Sequence, residues 1–238
     1  MYKRIILKLS GETLAPETLE GAKSPTFDAL RVEEVARVIA ELAGMGVQVG
    51  VVMGGGNIWR GRFSEEMNAV NADQMGMLAT VINALAVEDA LCRLGRKATV
   101  FTAQEMNRFA ELYRADRAIA CMERGEIVLL SGGSGNPFFT TDTAAALRAA
   151  ELHADAVFKG TTVAGVYDSD PRKNPDAKLL PDLTYQEALD RGLRVMDPAA
   201  FQLCMEQKIP QIRVFAMDDL ENVLRVAKGE PIGTVVHP

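Results

Sequence analysis

The chain has 238 residues, 48% of them hydrophobic, with 26 Lys and Arg against 32 Asp and Glu, a formal net charge of -6. Length and apolar content suffice for one domain with a substantial core, while the acidic balance argues against a protein built to grip nucleic-acid backbone. Three scattered cysteines with no C-x-x-C pair and two histidines support neither a disulfide framework nor a zinc site and favour a reducing, cytoplasmic setting.

The first strand is expected at 4–9, "RIILKL". Lys3 and Arg4 before this patch imitate a signal peptide, but Lys8 interrupts it and it ends at Ser10, too short for an h-region. Lys8 and Ser10 point the same way along the strand, and Gly11 allows close backbone approach. A lysine near the end of an apolar strand is either a partly exposed edge residue or the ligand of an anion. The stretch 31–46 predicts a helix whose Val32, Val35, Ala36, Ile39, Leu42 and Ala43 form one face, closed by a glycine C-cap. A second strand at 47–53 leads into "GGGNIWRG" (54–61). Its three glycines form either a tight turn or a phosphate cradle, with Arg60 within reach. The spacing matches neither the P-loop nor the dinucleotide fingerprint.

The segment 71–94 predicts a buried or subunit-facing helix with little charge between Asp73 and Glu88. Its most apolar part, 74–87, is shorter than the roughly 20 residues of a membrane span. Asp73 is either a helix-dipole partner or an acceptor for sugar hydroxyls, and Met75 and Met77 read as packing residues. Strands follow at 97–101 and 126–130, the latter opening into "SGGSGNPFFTTD" (131–142). Here the glycines supply free backbone, Pro137 fixes the path, and Phe138 and Phe139 offer a stacking surface beside Thr140, Thr141 and Asp142 at the start of a helix over 142–152. Asp142 is either a plain N-cap or a site residue. The strand at 154–159 ends in Lys159, repeating the placement of Lys8, and runs into a long polar loop suited to covering a ligand. Helices over 184–191, 198–207 and 218–228 and a strand at 212–215 complete the pattern.

Strands alternating with helices imply a three-layer αβα sandwich with a mainly parallel central sheet, read as a single domain over 1–238. Ligands in such sheets bind at the carboxyl ends of the strands. Two strand-terminal lysines, two glycine-rich seats and an aromatic-flanked helix start describe a site for two phosphorylated ligands.

The segments "KLSGE" (8–12), "GGGNIWRG" (54–61), "ADQMGMLAT" (72–80), "GNPFFTTD" (135–142) and "VMDPAAF" (195–201) resemble the bacterial uridylate kinases, a branch of the amino acid kinase family, over essentially the whole chain. The third and fourth are the specific ones, because related carbamate, glutamate and aspartate kinases share the lysine and glycine loops only. The resemblance implies reversible transfer of phosphate from Mg-ATP to UMP, giving UDP and ADP, in pyrimidine nucleotide synthesis. It implies an acceptor lobe near 1–150 and an ATP lobe near 151–238. Lys8, Asp142 and Lys159 are the implied catalytic residues. Lys8, Leu9, Ser10, Gly11, Gly56, Arg60, Thr161, Tyr167 and Asp170 are implied for ATP. Gly55, Asp73, Ser134, Gly135, Asn136, Pro137, Phe138, Phe139, Thr140 and Thr141 are implied for UMP. No protein metal site is implied, Mg2+ arriving with ATP. A homohexamer, activation by GTP and inhibition by UTP also follow from the resemblance, with no membrane or nucleic-acid partner. Two departures stand out. Ala164 replaces a usual Asp, and "GAKSPTFD" (21–28) replaces a glycine-rich loop.

Overall fold

The computed structural model describes residues 2–16, 26–60, 67–193 and 196–238. Among the described residues nine strands form one sheet: β1 (Arg4–Leu9), β2 (Gln48–Met53), β3 (Ala98–Thr102), β4 (Glu111–Leu112), β5 (Ile127–Ser131), β6 (Ala156–Thr161), β7 (Asp182–Thr184), β8 (Ile212–Ala216) and β9 (Thr234–His237). Their order is β4-β3-β5-β2-β1-β6-β8-β9-β7. Every neighbouring pair is parallel except β8 with β9. The central strands are apolar almost throughout because helices cover both of their faces.

The helices are α1 (Ala29–Gly44), α2 (Ala69–Arg93), α3 (Ala115–Glu123), α4 (Thr141–Glu151), α5 (Tyr185–Asp190), α6 (Pro198–Glu206) and α7 (Asn222–Ala227). Strand alternation sorts the core into two layers. Ile5, Leu7 and Leu9 pack with Val51, Phe158 and the inner faces of α1, α2 and α7. Ile6 packs with Val52, Val157 and the alanine-rich face of α4, together with α3, α5 and α6. Each fully buried Leu, Ile or Phe in these layers stabilises the fold by about 1.5–3 kcal/mol. The same alternation puts Lys8 and Lys159 on the α4 side, continuing the rows of Ile6 and Val157.

The αβα sandwich matches the sequence reading, with three strands and one helix added. Strands β4, β7 and β9 have two to four residues each, too short to carry a visible alternation. The apolar stretch at 74–87 needs correction: it is part of a 25-residue helix, α2, long and apolar enough to cross a membrane by length and composition alone. In the fold α2 packs on α1, β3 and β5. It buries one face only, leaving Leu78 and Ile82 exposed on the other.

Candidate active site

Lys8 and Lys159 are direct partners in the parallel pairing of β1 with β6. Both therefore reach the carboxyl end of the sheet on its α4 face. Between them lies Asp142, in the first turn of α4. Its Oδ1 is 3.2 Å from Lys8 Nζ, and its Oδ2 accepts a hydrogen bond from Lys159 Nζ. The three side chains are 13%, 14% and 9% exposed for Lys8, Asp142 and Lys159. Burial pushes the Asp142 carboxyl up, but Lys8 and Lys159 together hold it below its ordinary value. Burial dominates for Lys159, holding its ammonium below the ordinary lysine value against the pull of Asp142. Asp142 serves both ammonium groups, and Asp197 adds a weaker electrostatic pull on Lys159. Ammonium groups placed this deeply are costly to bury unless anions join them.

Asp142 is held in place by the helix start. Thr140, not Asp142, is the N-cap of α4: its hydroxyl accepts from the N–H groups of Asp142 and Thr143. The Thr140 and Thr143 hydroxyls in turn donate to Asp197, the N-cap of α6. The N-cap alternative for Asp142 is thus corrected, and the carboxylate is left to the two lysines.

The glycine loops close around this cluster. A Cβ at Gly11 would lie 2.3 Å from Asn57 Oδ1 and 2.9 Å from the Gly54 carbonyl, so only glycine lets the loops after β1 and β2 pack together. Gly132, Gly133 and Gly135 have φ of 76°, 60° and 84°, the left-handed region open to glycine. Two clefts result. One, of about 580 Å³, is lined by Lys8, Ser10, Gly55, Gly56, Arg60, Asp73, Phe138, Phe139, Thr140 and Thr141, with Glu12 and Trp59. The other, of about 560 Å³, is lined by Lys8, Ser10, Lys159, Thr161, Tyr167 and Asp170, with Arg172 and Arg191. Lys8 and Ser10 border both, so the clefts meet there, with Lys159 on the side of the second.

The amino acid kinase family profile matches residues 3–215. The chain belongs to the amino acid kinase family. Within it, the chain is 52% identical to the uridylate kinase of Bacteroides thetaiotaomicron, covering 99% of this chain and 98% of that one. It is 50% identical to the uridylate kinase of Parabacteroides distasonis over the same shares. It superimposes on the crystal structure of UMP kinase from Bacillus anthracis with a TM-score of 0.93 at 36% identity, covering 99% of this chain and 96% of that one.

On this amino acid kinase scaffold most residues singled out from sequence lie along the two clefts. Ser134 and Asn136 line a smaller recess of about 150 Å³ beside Gly55, Asp73 and Thr80. Leu9 does not reach a cleft through its side chain, which points into the α1 layer; its carbonyl accepts from Gly54 N–H (2.8 Å). The Gly135 carbonyl accepts from Gln104 Nε2 (2.8 Å), and neither Gly135 nor Pro137 borders the three cavities just described. Asp73 Oδ2 accepts from the N–H of Phe138 (2.7 Å), a non-glycine residue at φ 71°. That bond helps hold the exposed aromatic pair at the cleft rim. Gly61, Val195 and residues 21–25 of the quoted segments lie outside the described residues.

Sequence reasoning passed over four neighbours. Glu12 accepts from the Ser10 hydroxyl and pairs with Arg60 Nη2 (2.7 Å). Burial would raise its carboxyl, but the Ser10 hydrogen bond and the charges of Arg60 and Lys8 leave it lowered. Trp59 donates through Nε1 to the Ala72 carbonyl (2.9 Å), packing the first cleft against α2. Asp197 lies in the quoted "VMDPAAF" segment, with no role assigned to it there. Arg172 donates to the Thr162 hydroxyl (2.7 Å) across the second cleft.

Proposed function

We propose that the chain is a UMP kinase, transferring the terminal phosphoryl group of ATP to UMP to give UDP and ADP. The observation that carries this reading is the meeting of two clefts at Lys8, the direct strand partner of the buried Lys159. The UMP phosphate is largely dianionic at neutral pH, its second pKa being about 6, so the acceptor needs no general base. What the transfer needs is in-line placement and neutralisation of charge on the migrating group. Lys8 and Lys159 flank that group, and Asp142 orients both ammoniums.

UMP occupies the first cleft. Gly55 and the 134–141 segment take its phosphate, Asp73 its ribose, and the exposed rings of Phe138 and Phe139 the face of its base. ATP occupies the second cleft, with Thr161, Tyr167 and Asp170 at its adenosine; its phosphates reach Ser10 and Gly11 where the clefts meet, and Gly56 and Arg60 on the near side of the first cleft. This divides the chain into an acceptor side near 1–150 and an ATP side near 151–238. Mg2+ bound to ATP supplies further neutralisation of the phosphates. Among the described residues no cluster of three or more His, Cys, Asp or Glu forms a metal cage, and two of the cleft carboxylates, Asp142 and Glu12, already hold cations. That donor set suits a metal carried largely by phosphate and water oxygens.

The apolar outer face of α2, with Leu78 and Ile82 exposed, supports self-association, and the family resemblance makes it a homohexamer. Inhibition by UTP follows if its uridine competes for the UMP cleft. Activation by GTP, a role in pyrimidine synthesis and a cytoplasmic location come with the resemblance.

The test is to incubate the purified protein with Mg-ATP and, separately, UMP, CMP, dUMP, glutamate and aspartate, and to measure ADP and phosphorylated product. UDP formation from UMP well above every other acceptor is expected. Preferential phosphorylation of an amino acid, or tight UMP binding with no turnover, would sink the reading.

A further inference from the structure

Helix α2 is apolar along most of its length, yet two of its polar side chains are sealed from solvent: Thr80 is 3% exposed and Asn83 0%. A hydroxyl and an amide are costly to bury without hydrogen-bond partners. Their partners are the two glycine loops. Thr80 Oγ1 accepts from Gly132 N–H (2.8 Å) while donating to the Met77 carbonyl (2.7 Å). Asn83 Nδ2 donates to the Gly54 carbonyl (2.6 Å) and to Asn57 Oδ1 (2.8 Å), and Asn57 Nδ2 donates back to Asn83 Oδ1 (3.1 Å). Three residues apart, the two side chains share one face of the helix. One rigid element thus grips both flexible loops.

We infer that Thr80 and Asn83 are positioning residues for phosphoryl transfer, fixing the two glycine loops relative to each other before either nucleotide binds. The inference rests on the UMP kinase reading. Glycine loops lose more backbone freedom on ordering than other segments. If they were ordered only on binding, that cost would be drawn from affinity and from the alignment of the reacting groups. Anchoring them to a helix places the cost in folding instead. The two anchors act on different ground. Thr80 holds the loop that leads to the UMP residues 134–141, whereas Asn83 holds Gly54 and Asn57, which flank the Gly55 and Gly56 shared between UMP and ATP.

The test compares Thr80→Val, Thr80→Ser, Asn83→Ala and Asn57→Ala with the wild-type chain. Each is assayed for KM and kcat with both substrates, for UMP binding through the fluorescence of Trp59, the only tryptophan, and for thermal unfolding. Thr80→Val is expected to raise the KM and Kd for UMP about 10-fold and leave the KM for ATP within about twofold, with Thr80→Ser restoring UMP binding. Asn83→Ala and Asn57→Ala are expected to lower kcat by about 10-fold or more and to raise both KM values. Should Asn83→Ala fail to fold, Asn57→Ala removes the same link from the loop side. Folded variants with wild-type constants, or a Thr80→Val defect equal for both substrates and unrelieved by serine, would overturn the inference. Wild-type protein inert toward UMP would instead sink the functional reading itself.

Discussion

Lys8 and Lys159 are cations for a structural reason that reaches back to strand alternation. Each continues an apolar row, behind Ile6 and Val157, onto the α4 face, and each ends on Asp142. Because burial lowers the Lys159 pKa and Asp142 opposes that effect, Asp142→Asn should let it drop further. A lysine that must be charged is active below its pKa and silent above it. The alkaline limb of kcat/KM is therefore expected to move to lower pH in Asp142→Asn, with kcat near neutrality reduced by about 100-fold. An unmoved limb, read from a pH-rate profile against the wild type, would show that the carboxylate does not tune the lysine.

At the scale of elements, the sheet is pinned at the end opposite the site. Glu126, just before β5, accepts from Arg124 Nε (2.9 Å), Lys97 Nζ (2.8 Å) and the Thr99 hydroxyl (3.2 Å), tying the start of β5 to that of β3. Arg124 first and Lys97 second hold its carboxyl down to about 2 from an ordinary 4.5. A carboxyl depressed on folding adds stability that is fully present above its unfolded pKa and is lost as pH falls toward the folded one, here between 4.5 and about 2. Arg124 and Lys97 are largely exposed and screened, so Glu126→Gln is expected to cost no more than about 1 kcal/mol near neutrality. The variant should also flatten the loss of thermal midpoint between about pH 5 and pH 3. Parallel curves for variant and wild type would remove Glu126 from that role.

The same scale shows what could be read in advance. The β-branched runs and the amphipathic face of α1 identified their elements, because buried strands and one-sided helices leave strong periodic signals. β4, β7 and β9 escaped because two to four residues of edge pairing are set by the neighbouring chain, not by their own pattern. The clasp of Asp197 on the Thr140 and Thr143 hydroxyls joins segments more than 50 residues apart and left no local signal. Thr80 and Asn83 had no role in the sequence reading, because nothing in the helix itself names the loops they hold.

At the scale of the molecule, the sheet order places β1 at its centre, with β2, β5 and β3 on one flank and β6 and β8 on the other. The crevice at such a switch point is where α/β folds bind ligands. Here it brings residues from both flanks to Lys8. The glycine stretches and lysines point from sequence to phosphate binding. Which two strands stood side by side was not legible, since parallel neighbours depend on crossovers that local sequence leaves open.

The central claim is that Lys8 is the cation common to both clefts, serving transfer and not acceptor binding. The direct test is Lys8→Met, measured for turnover with Mg-ATP and UMP and for UMP affinity by Trp59 fluorescence. Turnover reduced by about 100- to 1,000-fold or more, with UMP affinity close to wild type, is the predicted result. Turnover that survives within about tenfold, or UMP binding that collapses together with it, would contradict the account.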